Sequence, residues 1–214
     1  KEATVYCCRS GGPGGGLVAA KVYRSRRQRS FQNDAVYREG RVILDARARR
    51  AVARGSRFGR EVGQALWLLH EYEVLTALHR AATDVPRPLR AAESAILLEY
   101  LGDEGAAAPP LYCVDLRPDA ARRICARLLW NIEQFLHANW VHGDLSPYNL
   151  LYWRDTAWII DFPQAVDARA NRHAPDLLYR DIANVCDHFA GYGLRLDPER
   201  IARNLWHRYR HAEL

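Results

Sequence analysis

The sequence predicts an α+β protein of two lobes, β-rich in its first half and mostly helical in its second. Three observations lead there. Short apolar runs with strand character, at 3–8, 17–23 and 95–101, fall within the first 101 residues. Beyond them, residues 118–139 read as one strong helix: Pro118 suits its first turn, and Ile124, Leu128, Ile132, Phe135 and Leu136 share a face. Between the halves, residues 102–110 are rich in Gly, Ala and Pro and read as a linker marking the lobe boundary.

In chain order, 3–8 and 17–23 are expected to form a hairpin around the glycine-dense turn 10–16. Residues 24–60 carry many arginines and little apolar periodicity, which predicts a loop or mobile helical insertion. From 61 to 80, Val62, Leu66, Leu69 and Leu75, with Leu78 close by, follow helical spacing; a turn at 84–88 then leads to the strand at 95–101. Residues 140–161 read as a loop between short strands, 150–153 and 158–160, and helices are expected at 177–191 and 198–211. No internal repeat is present.

Composition sets bounds on function. A 49% hydrophobic and 26% charged chain of 214 residues can bury a real core, and no apolar stretch approaches the ~20 residues of a membrane span. No signal peptide is visible, and the absence of Met reads as an excised domain. The five cysteines are odd in number and lack C-x-x-C spacing, which argues against a disulfide framework or zinc site and for a reducing cytoplasm. The eight histidines suggest no metal-ligand pairing on one helix face, and His142 reads as a structural support. Net charge +6 permits attraction to phosphates, acidic proteins or nucleic acid. Only two of the 31 basic residues are lysines, Lys1 and Lys21, so these positions point to a need for a compact ammonium.

The densest chemical signal is V-H-G-D-L-S-P-Y-N, ending at Asn149, followed by W-I-I-D-F-P-Q from Trp158. Phosphoryl transfer needs an oriented acceptor and cations on the phosphate oxygens. Asp144 can orient and deprotonate a hydroxyl; Asn149, five residues on, and Asp161, about a dozen further, are hard oxygen donors suited to Mg²⁺. Alone, each reads as a turn residue or strand cap; the combined spacing is what points to chemistry. Lys21, flanked by apolar residues on a strand, is the candidate for phosphate contact, with a helix carboxylate as its partner. Glu71 and Glu73 are two apart and point to different faces, so one of them faces the cleft.

These motifs resemble those of RIO protein kinases. K-E-A-T-V-Y at 1–6 looks like the family's nucleotide loop, without its usual preceding S-T-G. W-x-x-x-E at 67–71 is similar to a family helix segment and favours Glu71 over Glu73. L-L-E-Y-L-G at 97–102 resembles the hinge, V-H-G-D-L-S-P-Y-N the catalytic loop, I-D-F-P-Q the metal loop, and R-D-x-x-N-V at 180–185 a further segment. The resemblance implies a bilobal protein-kinase-like fold: a small β-rich N-lobe, 1–101, carrying the insertion 24–60, and a mostly helical C-lobe, 102–214, trimmed of the long activation segment and peptide-docking lobe. It implies an atypical serine/threonine kinase or ATPase using ATP and Mg²⁺, with Mn²⁺ as substitute. Asp144 would be the catalytic base, Asp161 a metal ligand and transient phosphoacceptor, and Asn149 the second metal ligand. Nucleotide contacts would come from Lys1, Glu2, Ala3, Val5, Lys21, Glu71, Ser146 and the backbone of Glu99 and Leu101.

Expected partners are ATP, an unidentified protein substrate or the chain itself, and a ribosomal subunit or RNA, with no membrane. The insertion departs from the family sequence, although 31–42 resembles its aromatic-rich stretch. Two other readings share part of the pattern. Small-molecule kinases of the aminoglycoside or choline type also carry H-G-D-x-x-x-x-N and I-D-F, and a nucleotide-gated ribosome-assembly factor would use the basic insertion.

Overall fold

The computed structural model describes residues 3–11, 15–23, 54 and 56–214. Lys1, Glu2 and most of the arginine-rich stretch, including 31–42, lie outside the described residues.

Strands β1 (Ala3–Arg9) and β2 (Leu17–Tyr23) pair antiparallel, with Val5 opposite Lys21. The Ser10 N–H donates to the Gly16 carbonyl at 2.9 Å, closing the turn. With β3 (Pro88–Ala91) and β4 (Ala95–Glu99) they form one antiparallel sheet in the order β1-β2-β4-β3. Lys21 therefore sits on a central strand, between Val5 and Ile96. Strand β3 was not expected; it opens on a proline, which only an edge strand tolerates, and that is where it lies.

Helix α1 (Arg57–Arg80) begins earlier than its periodicity predicts; Leu75 and Leu78 are buried as expected, but the inward face is rotated away from Leu69. Leu69, expected inside, is 46% exposed, whereas Leu68 is 1% exposed. The buried stripe runs through Trp67, Leu68, Glu71, Val74, Leu75 and Leu78, and its centre is a carboxylate that an apolar count passes over. This helix serves two cores. Leu68 joins Tyr23 and Ile96 beneath the sheet, while Trp67, Val74, Leu75 and Leu78 belong to the large cluster of the helical half.

The expected linker 102–110 holds a small hairpin, β5 (Gly102–Asp103) with β6 (Ala106–Ala107). Gly102 has φ +143°, and a Cβ there would meet the Ala106 carbonyl oxygen at 2.5 Å. Gly102→Ala is therefore expected to lower stability by about 1–3 kcal/mol, read as a shifted denaturant midpoint.

Helix α2 (Pro118–His137) buries the predicted face, adding Ala121, Cys125 and Asn131. Beyond it, β7 (Trp140–Val141), β8 (Leu150–Trp153), β9 (Thr156–Ile159) and β10 (Val166–Asp167) pair as β7 with β10 and β8 with β9. Arg154 and Asp155, both at positive φ, form the two-residue turn of the β8–β9 hairpin. The two ladders bracket the loops 142–149 and 160–165, holding both motif loops side by side. Helices α3 (Ala174–Ala190) and α4 (Pro198–Arg210) close the core; Asp197 caps α4 by accepting from the Arg200 N–H at 3.0 Å.

Contrary to expectation, two histidines do pair on one helix face. His207 and His211 stack with ring centroids 4.1 Å apart, because the His211 N–H, at the cap just beyond α4, still donates to the His207 carbonyl at 3.2 Å. Among the described residues no helix is long and apolar enough to cross a membrane.

Candidate active site

Lys21 reaches from β2 to two carboxylates: its Nζ donates to Glu71 Oε1 at 2.6 Å and to Asp161 Oδ1 at 2.5 Å. Burial works to lower its pKa, but the two carboxylates outweigh that and hold the ammonium charged well above its ordinary range. Glu71 is 1% exposed and also accepts the Phe162 N–H at 3.1 Å, joining α1 to the loop after β9; Glu73 is exposed. Burial pushes the Glu71 carboxyl up against the pull of Lys21. With Lys21 held charged, the contact is an ion pair. The other oxygen, Glu71 Oε2, is buried and accepts no hydrogen bond among the described residues.

Asp161 lies two residues beyond β9 at φ +72°, a left-handed conformation that a non-glycine residue holds at some cost. Its side chain is 42% exposed. Burial raises its pKa, and the Lys21 ammonium overrides this, keeping it below the usual carboxylate range. Phe162 anchors the loop from below; it is fully buried, edge-on to Phe135 at 5.6 Å and against His142 at 4.6 Å.

The loop carrying Asp144 is wired to its neighbours through backbone groups. His142 is buried and spans the two loops: Nδ1 accepts from the Asp144 N–H at 3.3 Å, so Nε2 carries the proton and donates to the Ile160 carbonyl at 3.2 Å. Burial lowers its pKa to about 4, so it is a neutral strut. An unfolded chain takes up that proton near 6.5, so His142 adds stability above pH 6.5 that is lost as pH falls through about 4. Wild type is expected to lose about 3 kcal/mol relative to His142→Gln between pH 7 and 4, measured by denaturation at each pH.

Asn149 Nδ2 donates to the Asp144 carbonyl at 2.8 Å, leaving Oδ1 as the atom to face a cation. Asp144 is exposed; partial burial raises its pKa, and the Arg180 charge opposes the rise. Ser146 begins the short 3₁₀ turn Pro147–Asn149, half-buried and apart from the cavity wall.

Three functional neighbours carry no role in the motif reading. Asp181 of α3, 1% exposed, accepts from the Gly143 N–H at 2.7 Å and the Leu145 N–H at 2.9 Å. Asn184 Nδ2 donates to the Leu145 carbonyl at 2.8 Å, and Arg180 donates to the Gly143 carbonyl. The signal for Asp181 is present in the sequence: a carboxylate in step with Leu178, Ile182 and Val185 on a buried helix face.

A cavity of about 820 Å³ opens beside Lys21, Glu71, Asn149 and Asp161, and Asp144 is not among its lining residues. Ala3, Val5, Lys21, Glu71, Glu99, Leu101, Asn149 and Asp161 line it, with Ala19, Leu98, Leu151 and Ile160 supplying apolar walls. The Leu101 carbonyl accepts from the Ala108 N–H at 2.9 Å, which ties Leu101 to the residue after β6. An apolar slot ending in an ammonium, a carboxylate and an amide fits a nucleoside triphosphate with Mg²⁺.

A family profile described as the RIO domain matches residues 4–201. The RIO-type serine/threonine-protein kinase Rio1 of Thermoplasma acidophilum is 32% identical over 143 residues, covering 64% of this chain and 70% of that protein. The human serine/threonine-protein kinase RIO1 is 31% identical over 124 residues, covering 58% of this chain but only 22% of that protein. The Rio2 kinase from Chaetomium thermophilum, solved as an ADP/Mg²⁺-phosphoaspartate complex, superposes with a TM-score of 0.65 at 20% identity over 95% of this chain and 58% of that one. The fold is thus the bilobal kinase-like α+β architecture, and the chain belongs to the RIO domain family.

Proposed function

We infer that this chain is an ATP- and Mg²⁺-dependent phosphotransferase, an atypical RIO-type serine/threonine protein kinase or ATPase, with 1–101 as N-lobe and 102–214 as C-lobe. The observation that carries this reading is the convergence of Lys21, Glu71 and Asp161, from a strand, a helix and a loop far apart in sequence, at one end of an apolar cavity. Adenine would lie against the Glu99–Leu101 backbone, with Ala3, Val5 and, from the terminal segment, Lys1 and Glu2 over the phosphates. Lys21 would exchange Asp161 for phosphate oxygens. Asp161 and Asn149 would hold Mg²⁺, or Mn²⁺ in its place, which when bound neutralises phosphate charge. Ser146 would act from the loop beneath.

Asp144 would take the proton of an attacking hydroxyl, and the bond to the leaving ADP breaks with its electron pair on ADP. In the alternative use of the same site, Asp161 itself attacks the γ-phosphorus, giving an aspartyl-phosphate and ADP; water then hydrolyses it. The solved Rio2 relative is described with a phosphoaspartate, which supports this second use. A protein serine or threonine, the chain itself, or a partner on a ribosomal subunit is the acceptor we assign, in the cytoplasm; the net charge of +6 supports an anionic partner.

The test is incubation with γ-labelled ATP and Mg²⁺, following acid-stable and hydroxylamine-labile label. Label of either kind supports the reading. No label together with no nucleotide binding overturns it.

A further inference from the structure

We propose that His207 and His211 form a binding site for a divalent transition-metal ion at the end of α4, remote from the cleft in chemistry and in residues. The two side chains are one helical turn apart, the spacing at which paired histidines on a helix chelate zinc. His211 caps the helix, its N–H shared between the His207 and Arg208 carbonyls, each at 3.2 Å. Both residues are exposed, and their rings stack face to face at 4.1 Å with planes 23° apart, which holds the two imidazoles together on the solvent side of the helix end.

A second contact sets the tautomer. His211 Nδ1 lies 2.7 Å from the His207 carbonyl oxygen, and a carbonyl only accepts, so Nδ1 carries the proton. In the neutral ring the lone pair is then on Nε2. Metal-bound histidines show this arrangement, one ring nitrogen donating to a backbone carbonyl and the other ligating. His211 is thus already in the form a metal needs.

The opposite face of the helix is fastened. Leu205 and Ala202 are buried, the Tyr209 hydroxyl bonds Asn139 Oδ1 at 2.8 Å, and Arg208 pairs with Glu133 at 2.8 Å. That last pair also offsets the Arg208 charge beside the site. Among the described residues no third His, Cys, Asp or Glu completes a cluster, so water fills the remaining positions. Two imidazoles and water select Cu²⁺, Ni²⁺ or Zn²⁺ and discriminate against Mg²⁺, the reverse of the Asp161–Asn149 pair.

The test is calorimetric titration of Ni²⁺ into the full untagged chain at neutral pH with Mg²⁺ present, for wild type, His207→Ala, His211→Ala and Asp161→Asn. One saturable site is expected. Each histidine variant should bind on the order of a hundredfold more weakly, because losing one arm of a chelate removes the intramolecular second contact. Asp161→Asn should bind as wild type. No saturable binding in wild type, undiminished binding in either histidine variant, or loss in Asp161→Asn would each overturn the site.

Discussion

Asp161→Asn is expected to lower phosphoryl transfer by about 10³-fold, roughly 4 kcal/mol of transition-state stabilisation, while leaving the chain folded. Asparagine is the informative replacement because the backbone there is at φ +72°. Asparagine accepts the left-handed region more readily than most residues, whereas alanine would add strain to the loss of charge. The substitution preserves volume and one oxygen, so the lost quantity is the negative charge. Lys21 keeps Glu71 at 2.6 Å, so the buried ammonium stays paired. Nucleotide binding should survive, and chemistry should not.

Asp144→Asn separates the two uses of the site. A carboxylate attacking phosphorus has no proton to lose, so formation of an aspartyl-phosphate on Asp161 does not need Asp144. Its hydrolysis needs a deprotonated water, and transfer to a hydroxyl needs a deprotonated acceptor. Hydroxylamine-labile label should therefore persist or accumulate in Asp144→Asn, vanish in Asp161→Asn, and turn over only in wild type. Labile label of wild-type intensity in Asp161→Asn would remove that residue from the chemistry.

How much of this was legible in the sequence follows from the range of each interaction. The strands around Lys21, the α2 stripe and the start of α4 at Pro198 are local patterns, and they stand where the sequence pattern put them. Patterns failed where a polar residue does the work of packing. Glu71 interrupts the α1 stripe and sent the inferred face to Leu69. Gly and Ala in 102–107 look like a linker by composition, yet they pair because Gly102 admits a close backbone approach. The left-handed Asp161 has no sequence signature, being imposed by the Lys21 contact and the buried Phe162 on either side. The spacing of the histidine pair was legible, since His207 and His211 stand four apart in the helix expected at 198–211; the ring stacking at the cap of α4 is what the structure adds.

Asp181→Ala is expected to cost about 4 kcal/mol of stability at pH 5, because it strands the buried Gly143 and Leu145 N–H groups, each worth about 1–3 kcal/mol unsatisfied. The penalty should shrink with rising pH. Burial lifts the Asp181 pKa to about 7, from an ordinary 3.8, although the two backbone N–H groups and Arg180 pull the other way. Between those values the folded chain keeps a proton that the unfolded chain gives up, so its contribution to stability is full below about 4 and is lost as pH rises through about 7. Over that window wild type should lose about 4 kcal/mol relative to the alanine variant, which has nothing to titrate there. Denaturant unfolding of both proteins at pH 5 and pH 8 samples about 2.5 kcal/mol of that change, the rest falling below pH 5. A penalty that widens with pH would mean that the carboxylate is the stabilised form and that its two hydrogen bonds outweigh burial. Either way the loop that carries Asp144 loses two of its hydrogen bonds to α3, with Arg180 and Asn184 keeping theirs, so turnover should fall with nucleotide affinity nearly unchanged. Asp181 hydrogen-bonds the backbone of that loop, whereas Lys21, Glu99 and Leu101 line the cavity from the other half of the chain.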